Sequence, residues 1–306
     1  MNSIITKDQK NINDIKFLVA KILRKIPLNN NLKVKFNSYR HQWVERKINS
    51  LLNEAYSMVN SKLEVNKKQK NGGPIWVFWW QGIDGMPDLV KKCYFSVLRN
   101  ANGNRVILIT KSNFQNYTDI SPTIIRKLLM GKMTVTHFSD ILRFNLLKNN
   151  GGLWLDATIF VNKPIPEKYF TPIFTCSGFP DKDYFFVTRG KWTGFLFGGC
   201  EKSKLFQFMD DFFKLYWEKN DILVDYFLID YALEYAWMKN LSCFKYYTQQ
   251  SIGKNNSNLF ELYPLLNKKY DSKLMYRISK DTEMYKLSYK LNLDEKTTTF
   301  YGILVK

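Results

Sequence analysis

Histidine is nearly absent from this 306-residue chain: only His41 and His137 occur. Two imidazoles exclude a metal centre built from several histidines. Cysteine is scarce too. Cys93, Cys176, Cys200 and Cys243 lie far apart, with no C-x-x-C pair, so reduced packing residues are expected, not a zinc site or a disulfide framework. No run of 18 or more apolar residues occurs. The most apolar stretch, 222–238, is interrupted by Asp225, Asp230 and Glu234, which argues against a membrane-spanning helix. The opening residues lack an apolar run followed by a small-residue cleavage site; a cytoplasmic chain is the expectation. Acids are few relative to bases, 27 against 46, which leaves a formal net charge of +19.

That charge attracts polyanions. Nucleic acid, an anionic membrane surface and a lipid-diphosphate substrate are the three candidates. No helix-turn-helix, zinc-finger or ribonucleoprotein motif is present, so nucleic acid ranks last. The bland alternative is a solvated lysine- and asparagine-rich surface without a partner, since charge alone identifies none. Apolar residues make up 45% and aromatics 16%, enough for a substantial core and too much for a disordered chain.

The chain divides near residue 71. Ile12, Ile15, Leu18, Val19, Ile22 and Leu23 recur at helical spacing among lysines and Arg24. Pro27 and Asn29-Asn30-Asn31 mark a turn, and a second helical pattern runs from about Lys35 to Leu63. Residues 1–70 are thus a helical region, followed by a polar linker from Asn66 to Pro74. The first helix suits either a membrane surface or packing on the rest of the chain. Beyond the linker, strand signals at 75–80, 105–110, 133–136, 153–156 and 158–161 alternate with helical signals at 86–100, 121–130, 139–149, 203–219 and 222–239. Alternation of this kind predicts an α/β sheet with helices on both faces.

The most telling stretch is Ser139-Asp140-Ile141-Leu142-Arg143, then Gly151-Gly152-Leu153-Trp154-Leu155-Asp156-Ala157-Thr158. Ser139 is a candidate N-cap, with Asp140 in the first turn where the helix dipole favours an anion. Asp140 and Arg143, spaced i,i+3, share a face. Gly151 suits the end of the helix, and Leu153-Trp154-Leu155 reads as a buried strand. Asp156 then falls at the carboxyl end of that strand, where open α/β sheets bind ligands. The competing reading is an amphipathic helix with a surface ion pair, followed by a strand with a polar end.

Ser-Asp-Ile-Leu-Arg, then Gly-Gly-Leu-Trp-Leu-Asp, with Asp156 sixteen positions after Asp140, resembles the donor-site signature of glycosyltransferase family 32 and of the glucosylating-toxin catalytic domain. The Trp-Leu-Asp-Ala-Thr version is most similar to bacterial capsular polysaccharide synthesis proteins. Ile75 to Gly82 resembles that family's first strand and nucleotide loop, and the resemblance covers about residues 71–306. It implies a GT-A-type fold, a mixed nucleotide-binding sheet flanked by helices, here with an N-terminal helical extension. It also implies a retaining transferase that moves a hexose, glucose or galactose, from a UDP-sugar donor to a lipid-diphosphate-linked or polymeric glycan. Such work places the protein at the inner face of the membrane, held peripherally.

The resemblance implies donor contacts from Trp79, Trp80, Gln81, Asp140, Arg143 and Asp156, with Lys286 and Lys290 closing over the diphosphate. One of Trp79 and Trp80 would stack on uracil and the other would be core. Asp156 and Asp230 are the catalytic candidates: one acid of the 222–239 helix would face the acceptor, Asp230 ahead of Glu234, which shares its face, and of Asp225. Lys286 and Lys290 share a face if helical. His137 reads as a structural histidine. One departure stands out: Thr158 occupies the place of the second acid in Asp-X-Asp. Mn²⁺ or Mg²⁺ prefers oxygen ligands, and Asp156 with a Thr158 hydroxyl is a weaker pair. The alternatives are a nucleotide-sugar-binding subunit without catalysis and a basic membrane- or nucleic-acid-binding module.

Overall fold

The computed structural model describes residues 15–61, 72–250, 254–294 and 296–305. Residues 1–14 and most of the predicted linker lie outside that set. Two helices come first, α1 (Ile15–Lys25) and α2 (Asn30–Asn60). The side chain of Asn29, from the predicted turn, caps α2 by accepting from the Asn31 N–H. Next come β1 (Ile75–Phe78), α3 (Asp88–Arg99), β2 (Val106–Ile109), α4 (Pro122–Leu129), α5 (Val135–Asn150), β3 (Gly152–Asp156) and β4 (Ile159–Val161). The remainder is β5 (Ile173–Thr175), β6 (Leu196–Gly199), α6 (Lys204–Lys219), α7 (Leu228–Met238), α8 (Phe244–Gln249), α9 (Ser272–Ser279) and β7 (Met284–Lys286). Among the described residues, no helix is long and apolar enough to cross a membrane.

Five strands form a mixed sheet in the order β2-β1-β3-β6-β5. β1 is parallel to both β2 and β3, whereas β6 runs antiparallel to β3 and to β5. A separate antiparallel pair joins β4 to β7. Side chains alternate between the faces of a strand. Ile75, Val77, Leu153 and Leu155 therefore pack on the face covered by Val90 and Val97 of α3. Trp76, Phe78 and Trp154 pack on the other, against Phe138, Ile141 and Phe144 of α5. Both faces are covered, so these short strands are almost continuously apolar.

α5 is buried nearly all round because α6 covers the side away from the sheet. α2 lies along α6 and buries Val44, Ile48, Leu52 and Val59 in the same core. Arg40 of α2 is fully buried and reaches Asp225 at 3.5 Å, so the N-terminal helices are tied to the sheet-bearing part by charge as well as by apolar area.

The helix α5 begins earlier than its sequence suggested. Thr134 is its N-cap, accepting from the His137 N–H. The strand expected at 133–136 is thus the cap and first turn of a helix. Ser139 lies inside it, donating to the Thr136 carbonyl, and Asp140 is in the second turn. A β-branched run, Thr134-Val135-Thr136, misled the strand reading; the capping threonine outweighs it. The helix expected at 222–239 starts only at Leu228, because Asp225 turns back to accept the Phe227 N–H. Lys286 ends a strand and Lys290 lies in the turn beyond it, so the two do not share a helical face.

Candidate active site

The chain leaves β1 for β2 on one side and returns to β3 on the other. The crevice outside the carboxyl ends of β1 and β3 is therefore the topological switch point, where open α/β sheets place ligands. A cavity of about 1220 Å³ opens there, roomier than the roughly 300–1,000 Å³ of a typical small-ligand pocket. Its floor is formed by strand ends: Phe78 at the end of β1 and Trp79 after it, Thr110 after β2, and Trp154 and Asp156 of β3. Thr136 and Ser139, on the first turns of α5, form one wall. Tyr289 and Lys290 come over from the C-terminal segment.

The Gly151-Gly152 break sets this floor. Gly151 ends α5 at φ 62°. Gly152 adopts φ +97°, and a Cβ there would lie 2.1 Å from the Pro74 carbonyl oxygen. The close approach lets the Leu153 N–H donate to that carbonyl at 2.9 Å, which fixes β3 against β1 in the register Phe78 to Asp156. Alternation from Trp154 then turns Asp156 toward α5, where Arg143 waits.

Asp156 is the hub. Its Oδ1 accepts from Arg143 Nη2 at 3.2 Å and from Trp154 Nε1 at 3.0 Å. Its Oδ2 accepts from Lys286 Nζ at 2.8 Å. Burial works against its charge, but the Lys286 ammonium and then the Arg143 guanidinium outweigh that and hold the carboxyl below its ordinary value. Arg143 is buried, stacks over the Trp154 ring at 5.0 Å and also reaches Asp140 at 3.3 Å. Lys286 is carried to the site by pairing of β7 with β4, opposite Ile159.

Of the residues singled out in the sequence, Trp79, Trp80, Gln81, Asp156, Thr158 and Lys290 line the cavity. Trp80 is buried in the core, whereas Trp79 is half-buried, with its Nε1 anchored on the Gly85 carbonyl and its ring edge-on to Tyr289. Asp140, Arg143 and Lys286 stand behind Asp156 and do not line the cavity wall. Asp230 is deeper still. Its Oδ1 accepts from Trp192 Nε1 at 2.9 Å, and burial, with Asp140 adding to it, pushes its carboxyl up to about 7. His137 is buried and accepts from Trp217 Nε1 at 3.0 Å. Sequence reading missed Thr110, Lys111, Ser112, Thr136 and Tyr289 on the cavity wall. The first three follow the end of β2, so the strand-end rule that found Asp156 would also have found them.

The site offers a hard cation little. Among the described residues, no group of three or more histidines, cysteines or acids is placed to hold a metal. Asp156 already accepts three hydrogen bonds, two of them from cations. One lone pair of Asp156 and the Thr158 hydroxyl do not amount to a resident Mn²⁺ or Mg²⁺ centre. What the arrangement can do is hold an anion: Lys111 and Lys290 border the cavity, and Lys286 lies next to Asp156.

A search of curated proteins finds no match to the chain. The sequence profile of the capsular polysaccharide synthesis proteins matches residues 24–304, from α1 to the last turn of the described chain. The site lies inside that span, and the chain belongs to the capsular polysaccharide synthesis protein family.

Proposed function

We propose that the protein is a glycosyltransferase of capsule synthesis, using a nucleotide sugar bound in the β1/β3 crevice. The observation that carries the reading is Asp156 at the switch point, clamped by Arg143 and Lys286 beside a cavity bordered by further lysines. The sheet order supports a GT-A-type arrangement. A UDP-hexose, of glucose or galactose, is the proposed donor, and a lipid-diphosphate-linked or polymeric glycan the proposed acceptor.

In this reading Trp79 stacks on uracil, and Gln81 bonds its edge. Asp156 accepts from ribose or sugar hydroxyls, with Arg143 and Asp140 fixing its orientation from behind. Lys290 and Lys111 reach the diphosphate, and Lys286 holds Asp156 from behind. An acceptor hydroxyl attacks the anomeric carbon from the face that the UDP leaves, so the configuration is retained. The new glycosidic bond forms as the bond from carbon to phosphate oxygen breaks, and the hydroxyl proton passes to the departing phosphate. Lysines preorganised at the developing charge supply the electrostatic stabilisation, often the largest part of catalysis. Asp230, expected from the sequence to face the acceptor, is instead buried on Trp192 behind Arg143 and Asp140 and touches neither donor nor acceptor in this reading. A divalent cation brought by the diphosphate would find only the Thr158 hydroxyl and one lone pair of Asp156 as protein donors here.

Asp156→Asn tests the reading. The amide keeps the shape and can still accept from Trp154, but the clamp loses its charge. Release of UDP from the donor should fall about 10²–10³-fold while the folded state persists at 25 °C. Wild-type turnover in a folded Asp156→Asn protein overturns the assignment. The Thr158 departure and the sparse metal donors favour one second reading, a donor-binding subunit without catalysis. It predicts nucleotide-sugar binding with no UDP release at all.

A further inference from the structure

α1 carries apolar side chains on two opposite sides. Phe17 and Ala20 face inward and are buried. Ile15, Leu18 and Ile22 point the other way, each at least half exposed. At about 100° per residue these three fall within an arc of roughly 60°, opposite Phe17 and Ala20. The exposed apolar row continues past the helix end through Ile26, Leu28 and Leu32. Six of the 21 exposed large hydrophobic side chains among the described residues thus lie in 18 consecutive positions. Scattered single hydrophobics are ordinary on a protein surface, but so dense a run of them is not.

The charge around the row has one sign. From Ile15 to Val44 the chain contains seven lysines and arginines and no acid. Arg24 and Arg40 are committed to Asp183 and Asp225. Lys21, Lys25 and Lys35 remain exposed, and the first two lie within about 60° of Leu18 around the axis of α1. The Lys21 ammonium itself lies over the Phe17 ring, 4.3 Å from the centroid.

We propose that this face, from Ile15 to Leu32, docks the protein on an anionic lipid surface, with Leu18 and Ile22 entering the acyl boundary and the lysines at headgroup level. An apolar stripe edged by cations is what interfacial helices present. Charge complementarity selects the occupant. A second copy of the same face would bring like charges together, whereas an anionic bilayer supplies both the apolar layer and the counter-charge. None of these residues lines the cavity, so the proposal stands or falls separately from the transferase reading.

The test is co-sedimentation of the full chain with phosphatidylcholine vesicles, with and without phosphatidylglycerol, at low and high salt. Leu18→Gln/Ile22→Gln should weaken binding to the anionic vesicles about tenfold or more. Lys21→Gln/Lys25→Gln should weaken it and flatten the salt dependence. Leu129→Gln/Met130→Gln, an exposed apolar pair on and just after α4, should bind like wild type. Because the altered side chains are exposed, all three variants should keep the wild-type melting temperature. Anionic-vesicle binding by Leu18→Gln/Ile22→Gln equal to wild type overturns the proposal. So does a wild-type protein that ignores anionic vesicles at low salt, or one that self-associates through this face instead.

Discussion

Replacing Asp230 with asparagine should flatten the pH dependence of stability between about pH 4 and pH 7. Asp230 is in the first turn of α7 and 8% exposed. Burial raises its carboxyl from an ordinary 3.8 to about 7. The folded state then holds this proton more tightly than the unfolded chain. Its contribution to stability is fully present below about pH 4 and is lost as pH rises through about 7. A gap of about three units corresponds to roughly 4 kcal/mol at most. Asparagine mimics the protonated form and can still accept from Trp192. Urea unfolding of both proteins at about pH 5 and pH 8.5 measures the difference as a shift in midpoint. About two of the three units fall between these conditions, so the variant should gain roughly 3 kcal/mol on wild type from the lower pH to the higher one. Asp156, whose carboxyl is held low, works in the opposite sense: its contribution is lost as pH falls through the acid range, below both test conditions. Equal pH slopes in the two proteins, or a variant less stable at pH 8.5, would refute the reasoning.

Two further outcomes follow from the geometry of the floor. Gly152→Ala forces a Cβ to within 2.1 Å of the Pro74 oxygen at φ +97° and should cost roughly 2–4 kcal/mol, read as a melting temperature lowered by several degrees; an unchanged temperature would mean that β3 is not pinned there. Thr158→Asp adds a second carboxylate beside Asp156 and should tighten Mn²⁺ binding in the presence of UDP, measured by calorimetry; unchanged affinity would place Thr158 out of reach of the diphosphate.

Much of this fold was legible because its central strands are short apolar runs between helices of clear period. Ile75–Phe78, Val106–Ile109 and Gly152–Asp156 lie within a residue or two of their sequence-based bounds. Errors arose where one side chain overrides local propensity, as when Thr134 caps α5 or Asp225 delays α7. Asp156 was legible because strand ends meet ligands. Its partner Lys286 is 130 positions away, brought in by a β4–β7 pairing that no local pattern announces. The i,i+3 spacing announced the pair of Arg143 with Asp140, but no local pattern showed that Arg143 also meets Asp156 from a buried position, or that Asp230 sits behind that pair instead of at the cavity wall.

The central claim, a nucleotide-sugar site in the β1/β3 crevice, is tested most directly by the melting temperature of the wild-type protein across a panel of UDP-hexoses. At a hundredfold excess over Kd, a true donor adds about 2.7 kcal/mol and raises the melting temperature by several degrees, with or without Mn²⁺, since the clamp is built from protein cations. UDP-glucose or UDP-galactose should give that rise, and the Asp156→Asn protein should show much less of it. No shift with any UDP-hexose, in either the presence or the absence of Mn²⁺, would contradict the account.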